Sequence, residues 1–380
     1  MRIIHCCIGN FYIDNWSYQE NLLSKYNKTD GHDVKIITSI ESYDSGQKIT
    51  YLNPTSYINE HGIVVIRIPY ARFLPRYIMK KLRIYNGIKR EISEYRPDVV
   101  FLHGIQTFSG ITVANYCAVN NIKIYIDSHA DYTNSALSWF SKIILHRIVY
   151  AWIARSIEKK CNVIYYTIPL RKYFLMREYR MLPYKMRYLP LGFDSVLIHR
   201  ITSEINRPQL RESLGFTDDD IVIICGGKMY DNKNIHRLVR AVQTNTKFKL
   251  LIFGSLHEEM KKFDFTDLDY VRYVGWCSQD EVIRYTIAAD IGFVAGKHSV
   301  YWEQLLGLRK PLICLRKFGH EHIDVNKNVV WMEDVSENSF LKILNQLSDF
   351  QYFEQLKEMC KEMNIDRFDY KNISRSYICT

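Results

Sequence analysis

Short β-branched runs recur along the chain at intervals long enough to hold a helix, and this alternation limits the fold more than any other feature. The first series is RIIHCCI (Arg2–Ile8), VKIIT (Val34–Thr38), VVIRI (Val64–Ile68), DVVFLH (Asp98–His103), IKIYIDSH (Ile122–His129) and NVIYYT (Asn162–Thr167). A polar connector follows LPLGFD (Leu189–Asp194). A second series then opens with DIVIICGG (Asp220–Gly227), FKLLIFG (Phe248–Gly254), VRYVG (Val271–Gly275), DIGFVAG (Asp290–Gly296) and PLICLR (Pro311–Arg316). Strands apolar on both faces and separated by helix-length segments pair in parallel beneath covering helices. Two series in 380 residues predict two doubly wound, Rossmann-like α/β domains. Ligands of such sheets bind beyond the carboxyl ends of the strands, so the residues just after each run carry the functional reading.

Composition removes several classes. With 47% hydrophobic and 24% charged residues the chain is a folded globular protein, not a disordered one. The start, MRIIHCCIGNFY, has a brief apolar run without a small-residue cleavage pattern and reads as a buried strand, not a signal peptide. No apolar run reaches the roughly 18 to 20 residues of a membrane span. Nine scattered cysteines without a C-x-x-C pair argue against a disulfide framework and a zinc site. The expectation is a protein of the reducing cytoplasm, free or peripheral on the inner face of the cell membrane.

The net charge of +10 belongs to the first half: residues 1–194 hold 26 Lys and Arg against 15 Asp and Glu, and residues 195–380 hold 25 against 26. Between Lys142 and Arg187 stand 11 basic side chains and two acidic ones, Glu158 and Glu178, interleaved with Ile144, Ile148, Trp152, Tyr165, Tyr166, Tyr173, Phe174 and Tyr179. Cations beside apolar side chains suit an anionic membrane surface, and a solvated helix face above core aromatics is the plainer alternative. Nucleic acid is not expected, because no nucleic-acid module is recognisable.

In the second series Gly226 and Gly227 end a run, and Lys228 and Lys233 precede the helical pattern NIHRLVRAV (Asn234–Val242). Glycines admit close backbone approach and two lysines near a helix start can neutralise a diphosphate; an ordinary turn with surface lysines is the alternative. Neither G-x-x-x-x-G-K-[ST] nor G-x-G-x-x-G occurs, which speaks against an ATPase and a nicotinamide dehydrogenase. No Asp-x-Asp pair follows a strand, so no metal is expected.

The ordered pieces LPLGFD, GGKMYDNKNIHRLVRAV, LLIFG, VRYVGWCSQDEVIRYTIAADIGFVAG, WEQLLGLRKPLI and GHEHI, spread over roughly residues 186–345, resemble the carboxyl domain of GT-B glycosyltransferases. The resemblance is closest to retaining glycosyltransferase family 4 (glycosyl transferases group 1), and it is thinner in the first half, where PDVVFLHG and YIDSHADY carry it. It implies two Rossmann-like domains facing a central cleft: residues 1–194 for the acceptor, 195–350 for the nucleotide sugar, and a helical segment 351–380 that packs back on the first domain.

The resemblance also implies roles. Lys228 and Lys233, with Gly226 and Gly227, would hold the diphosphate; the family usually has arginine at the first lysine, and lysine keeps the charge without the planar fork. Gly254 and Ser255 would approach the nucleotide, Val274, Gly275, Trp276 and Cys277 would hold the base through backbone, and Glu303 would bind the ribose hydroxyls. The family's earlier glutamate falls on Ala295 and is absent, which leaves Lys297, His298 and Ser299 as local substitutes. His129 would be the cleft histidine, with His103 and Asp131 beside it on the acceptor side, unless these cap strand ends and fix a turn. Asn10, Trp16, Ser17 and Tyr18 would face the acceptor, unless the aromatics pack into the core.

The implied activity is transfer of a sugar from a nucleoside-diphosphate sugar, a UDP-sugar above others, to a saccharide or lipid-linked acceptor. Retention and a setting in bacterial capsule, O-antigen or exopolysaccharide assembly follow from the same resemblance. The donor is a substrate and no cofactor is expected. A nucleotide-sugar epimerase, another GT-B enzyme, a non-catalytic nucleotide-sugar binding module and a nucleic-acid-binding protein are the alternatives.

Overall fold

The β-branched runs form strands. In the computed structural model, which describes residues 1–43, 48–258 and 268–378, the chain divides into two units, Met1–Leu191 with Tyr370–Thr380 and Gly192–Asp369. The expected helical segment 351–380 is therefore shared between them at Asp369/Tyr370, and its last two residues lie outside the described residues.

The first unit contains β1 (Arg2–Cys7), β2 (Asp33–Ser39), β3 (Glu41–Tyr43), β4 (Ile49–Tyr51), β5 (Thr55–Ile58), β6 (Val64–Ile68), β7 (Val99–Leu102), β8 (Lys123–Ser128), β9 (Val163–Tyr166) and β10 (Met186–Tyr188). Eight of them form one sheet in the order β10-β9-β8-β7-β1-β2-β6-β5, parallel except for β5 against β6. Strands β3 and β4 pair separately as an antiparallel ribbon. Alternate side chains fill two cores, as a sheet covered on both faces requires. Ile4, Cys6, Val100, Leu102, Ile124 and Ile126 enter one, and Ile3, Val99, Phe101 and Tyr125 enter the other. The last helix, Tyr370–Ile378, closes that second core with Tyr370, Ile373 and Tyr377, and its Arg375 bonds Asp30 at 2.6 and 2.9 Å.

The second unit holds β11 (Ile221–Gly226), β12 (Phe248–Phe253), β13 (Val271–Gly275), β14 (Ile291–Val294), β15 (Leu312–Leu315) and β16 (Val329–Met332), a wholly parallel sheet in the order β13-β12-β11-β14-β15-β16. The order of the parallel strands reverses once in each sheet, at β1/β7 and at β11/β14. A crevice opens at such a switch point, outside the strand ends. Strands β3 to β5, β10 and β16 are absent from the sequence reading; each has only three or four residues, too few for a period to show.

The eight cysteines among the described residues are all free, and no helix among those residues is long and apolar enough to cross a membrane.

Candidate functional site

At the β11/β14 switch point backbone meets backbone. Gly227 and Gly254 hold φ of +92° and +106°, and a Cβ on Gly254 would stand 2.1 Å from the Gly227 carbonyl oxygen. A Cβ on Gly226 would stand 2.2 Å from the Phe253 oxygen, so Gly226 and Gly254 are required by the packing of two strand ends and Gly227 by its left-handed backbone, before any ligand is considered. Ser255 extends the contact, accepting from the Met229 amide at 2.9 Å.

Lys233 lies under this glycine turn. A 3-10 turn at Asp231–Lys233 and the left-handed Asn234 turn the chain into the helix Ile235–Val242, which carries the lysine back to donate to the Gly226 oxygen at 2.5 Å. Burial pushes its ammonium down to about 8. The lysine lines a cavity of about 20 Å³ with Ala295, Gly296, Lys297 and Ser299, room for roughly one water. Ala295 is thus a wall of the lysine's own cavity, and the carboxylate missing from the sequence pattern is missing beside this cation. Lys228 is half-buried, and burial lowers its ammonium too.

Glu303 stands in the first turn of the helix Tyr301–Gly307 and is fully buried. Its Oε1 is 2.7 Å from His298 Nε2 and 3.0 Å from His322 Nε2, while His322 Nδ1 is 3.0 Å from the Gly319 oxygen. Burial alone would raise the carboxyl, but the two imidazoles more than offset it and hold it down at about 2. Oε2 is buried without a hydrogen-bond partner. The carboxylate therefore has one oxygen committed to the protein and one directed elsewhere. The ligating atoms of His298, Glu303 and His322 lie within 4.8 Å of one another, the one group among the described residues with the makings of a metal site; its separations of 2.7 and 3.0 Å are those of charge-assisted hydrogen bonds.

The turn after β13 keeps Gly275 at φ +73°, Cys277 Sγ bonds the Gly275 oxygen at 3.3 Å, and Trp276 is exposed. Ser278 and Glu281 form a capping box that starts the helix Gln279–Ala288 directly behind it. Val274 packs partly buried against the core on one face of that sheet.

In the first unit the site centres on Asp127, a residue the sequence reading passed over. It is fully buried at the end of β8 and accepts from His103 Nδ1 at 3.0 Å, Gly104 N at 2.7 Å and Gln19 Nε2 at 3.3 Å. Burial alone would raise its carboxyl; the charges of His129 and His103 reverse this and hold it well below the usual range. His129 Nε2 is 3.4 Å from Asp127 Oδ2, within ion-pair distance but without hydrogen-bond geometry.

Behind His103 runs a chain of hydrogen bonds. Asn27 Nδ2 donates to the Ser374 oxygen, which turns Asn27 Oδ1 toward His5 Nε2 at 3.0 Å and toward the Tyr377 hydroxyl. His5 Nε2 must then donate, so its Nδ1 accepts from His103 Nε2 at 3.0 Å, and the chain is fully satisfied when His103 carries both protons. Burial takes His5 down to about 3, in keeping with its neutral place in this chain.

Two sequence expectations change here. His103 is fully buried with both nitrogens engaged, so it faces Asp127 and not an acceptor. Asp131, also buried, bonds the Thr133 amide at 2.8 Å and pairs with Arg171 at 3.2 Å, which fixes a turn. In the amino-terminal loop Asn10 donates to Glu20 at 2.7 Å, and Trp16 stacks on Tyr43 at 5.4 Å with Tyr18 edge-on at 4.9 Å; Ser17 is half-buried between them. A signal for Asp127 was present: strand residues two apart share a face, and Asp127 is two before His129.

No family profile and no curated protein matches the sequence. Solved structures do. Sucrose-phosphate synthase from Thermosynechococcus elongatus aligns over 100% of this chain and 97% of its own at 15% identity, with a TM-score of 0.70. Anabaena Alr3699/HepE in complex with UDP aligns over 100% and 98% at 14%, with a TM-score of 0.69. UDP-GlcNAc 2-epimerase from Neisseria meningitidis, bound to UDP-GlcNAc, aligns over 100% and 98% at 12%, with a TM-score of 0.60. Across its whole length the chain has the fold of these proteins, the GT-B fold.

Proposed function

We propose that the protein transfers a sugar from a nucleoside-diphosphate sugar, a UDP-sugar first among them, to a saccharide or lipid-linked acceptor. The observation that carries this is Lys233, a half-buried residue whose ammonium is drawn down by desolvation and held under a glycine turn at the β11/β14 switch point. A diphosphate there gains from charge already stripped of water, and the gain grows as the sugar–phosphate bond breaks and charge builds on the leaving group. Lys228 adds a second cation, and Glu303 Oε2 is a buried acceptor with room in its bonding for a ribose hydroxyl. His129, oriented by Asp127, is the group for the acceptor. The bound UDP and UDP-glucose of HepE support the choice of donor. Retention, with the leaving phosphate assisting the acceptor on the same face, and a role in bacterial surface polysaccharide assembly extend the same reading.

A peripheral position on the inner membrane face also belongs to it. Trp139, Phe140, Ile144, Ile148 and Trp152 are exposed within the basic first unit. The epimerase among the structural neighbours favours a second reading, interconversion of nucleotide sugars without an acceptor.

A thermal-shift panel of UDP-, GDP-, ADP- and dTDP-sugars, followed by assay of free nucleoside diphosphate with and without glycan acceptors, tests both readings. Acceptor-dependent release of the diphosphate is expected. An epimerised sugar without acceptor would favour the second reading, and no stabilisation by any nucleotide sugar would overturn the first. NMR of the product's anomeric proton decides retention.

A further inference from the structure

A second concavity lies wholly within the first unit. A cavity of about 460 Å³ opens among the end of the helix Arg76–Leu82, the loops after β7 and β8 and the helical run that starts at Ser141. Its wall carries Lys81, Arg83, Gln106, Asn134, Ser135 and Ser138, and no carboxylate. The nearby Glu178 is occupied by Arg147 at 2.7 Å and the Tyr132 hydroxyl at 2.6 Å. Two cations among hydroxyls and amides, unopposed by an acid, are the chemistry of a phosphate receptor.

The wall is built in advance. Arg83 and Ala136 hold left-handed backbones, φ +54° and +57°, which residues with a Cβ rarely adopt unless their surroundings fix them. Here they are fixed: Arg83 Nη1 donates to the Gln106 oxygen at 2.9 Å and Thr107 Oγ1 to the Arg83 oxygen at 3.0 Å. The Ala136 amide donates to His146 Nε2 at 3.2 Å, and His146 in turn faces the Tyr179 hydroxyl at 2.9 Å. Asn134 joins this wall to the candidate site, its Nδ2 donating to the His129 oxygen at 2.8 Å and its Oδ1 accepting from the Asp131 amide at 3.0 Å.

Next to the cavity in sequence stands an exposed apolar stripe. Residues Ser141–Tyr150 wind as a π-helix, so side chains four to five apart share a face. Leu145, His146 and Tyr150 turn toward the cavity; Phe140, Ile144 and Ile148 turn to solvent and are followed one turn on by Trp152. Trp139 and Phe140 are 75% and 65% exposed. Indole and phenyl rings beside cations are the pattern of a surface that seats in the headgroup layer of a bilayer.

We propose that this cavity receives the phosphate group of a membrane lipid while the stripe Trp139, Phe140, Ile144 and Ile148 enters the bilayer. The occupant is lipid-borne and not a free phosphate, because a soluble anion would leave the apolar stripe without a partner. The lipid would present its head group to the loop that holds His129. As the site of the acceptor this rests on the transferase reading; as a phospholipid site it does not.

Flotation of the full chain with three kinds of vesicle tests it: phosphatidylcholine alone, and phosphatidylcholine with phosphatidylglycerol or phosphatidic acid at matched surface charge. Phosphatidic acid, with its terminal phosphate, is expected to bind best. The Lys81→Gln/Arg83→Gln variant should lose roughly tenfold or more on these vesicles and fall to the phosphatidylglycerol level. Trp139→Ser/Phe140→Ser should fail to float with any of them. Because Arg83 also braces the loop after β7, Lys81→Gln alone is measured beside it and should show part of the loss.

Equal binding to both anionic vesicles, or no effect of the cation variants, would overturn the phosphate cavity. Inorganic phosphate that displaces the protein from vesicles at low millimolar concentration would overturn the lipid source. Nucleotide-sugar thermal shifts on the same samples separate the two claims. Retained shifts with lost vesicle preference remove the lipid site alone, and vesicle preference without any shift removes the transferase and leaves the lipid site.

Discussion

His129 Nε2 lies 3.4 Å from Asp127 Oδ2, the one imidazole partly open to solvent and the carboxylate entirely closed to it. The pair divides the labour of the first unit's site. Asp127 gathers His103, Gly104 and Gln19 and is itself unreachable, whereas His129 is reachable and takes its orientation from Asp127.

Asp127→Asn should therefore act through its neighbours. An amide cannot accept from His103 on one oxygen and from Gly104 on the other, and the negative charge facing the two imidazoles is lost. A loss of roughly 3–5 kcal/mol in unfolding free energy is expected, measured by urea denaturation. Turnover should fall more than donor affinity, and the imidazole nitrogen spectrum of His103 should change where that of a distant histidine, such as His199, does not.

Lys233 sets a pH limit on donor binding. Its ammonium stands at about 8 in the free protein, and a bound diphosphate should raise it. Below about 8 it is already charged and affinity is flat; above, each bound donor must take up a proton, and affinity should fall roughly tenfold per pH unit until the bound-state value is reached. Calorimetry in buffers of different ionisation enthalpy at pH 8.5 should show this uptake. Lys233→Met should lose both the affinity and the pH dependence.

Ala295→Glu would restore a carboxylate to the cavity beside Lys233. The cavity of about 20 Å³ cannot hold the larger side chain unaltered, so roughly 1–3 kcal/mol of stability should be lost. The new anion raises the Lys233 ammonium, and the alkaline loss of donor binding should move to higher pH.

Glu303→Gln should remove the charge that two imidazoles share. Folded, the carboxyl sits at about 2, below its ordinary 4.5, so its contribution to stability is complete above 4.5 and lost as pH falls through 2. The wild type should thus lose stability over that acidic window and the variant should not. The nucleotide-induced thermal shift, read against each protein's own unliganded midpoint, should shrink in the variant; an unchanged shift would rule out the ribose role.

Gly254→Ala tests the glycine packing apart from any ligand. With φ at +106° and a Cβ 2.1 Å from the Gly227 oxygen, the strand ends must part. A loss of roughly 2–4 kcal/mol is expected with no nucleotide present.

The parallel sheets were legible because their strands are buried on both faces and read as uninterrupted apolar runs, such as IVIICG in β11 and FKLLIF in β12. The ribbon β3–β4 was not, since Ile49 and Tyr51 are exposed and its pairing lies in backbone bonds that no side-chain pattern records. The same divide runs through the sites. Lys233 was visible by its position after a strand and Glu303 through the family resemblance, but the partners of Glu303 come from residues five before and nineteen after it, and His5, Asn27 and Tyr377 meet only once the chain has folded. Long-range hydrogen bonds leave no period in a sequence. His103 and Asp131 looked like site residues for the same reason they are structural, polar groups at strand ends, and only burial tells the two apart.

The chain leaves the first unit at Leu191 and returns at Tyr370, and the two ends of the intervening segment are tied by a bond of 2.8 Å from the Phe193 amide to the Phe368 oxygen. That makes the second unit an insertion, and it sets an order of events at the ribosome. Residues 192–369 have emerged complete while the first unit still lacks Tyr370, Ile373 and Tyr377 for its second core and Tyr377 for the His5 chain. The first unit to be translated is the last to close, and the protein holds its histidine chain in register only after the helix that carries Tyr377 has been made.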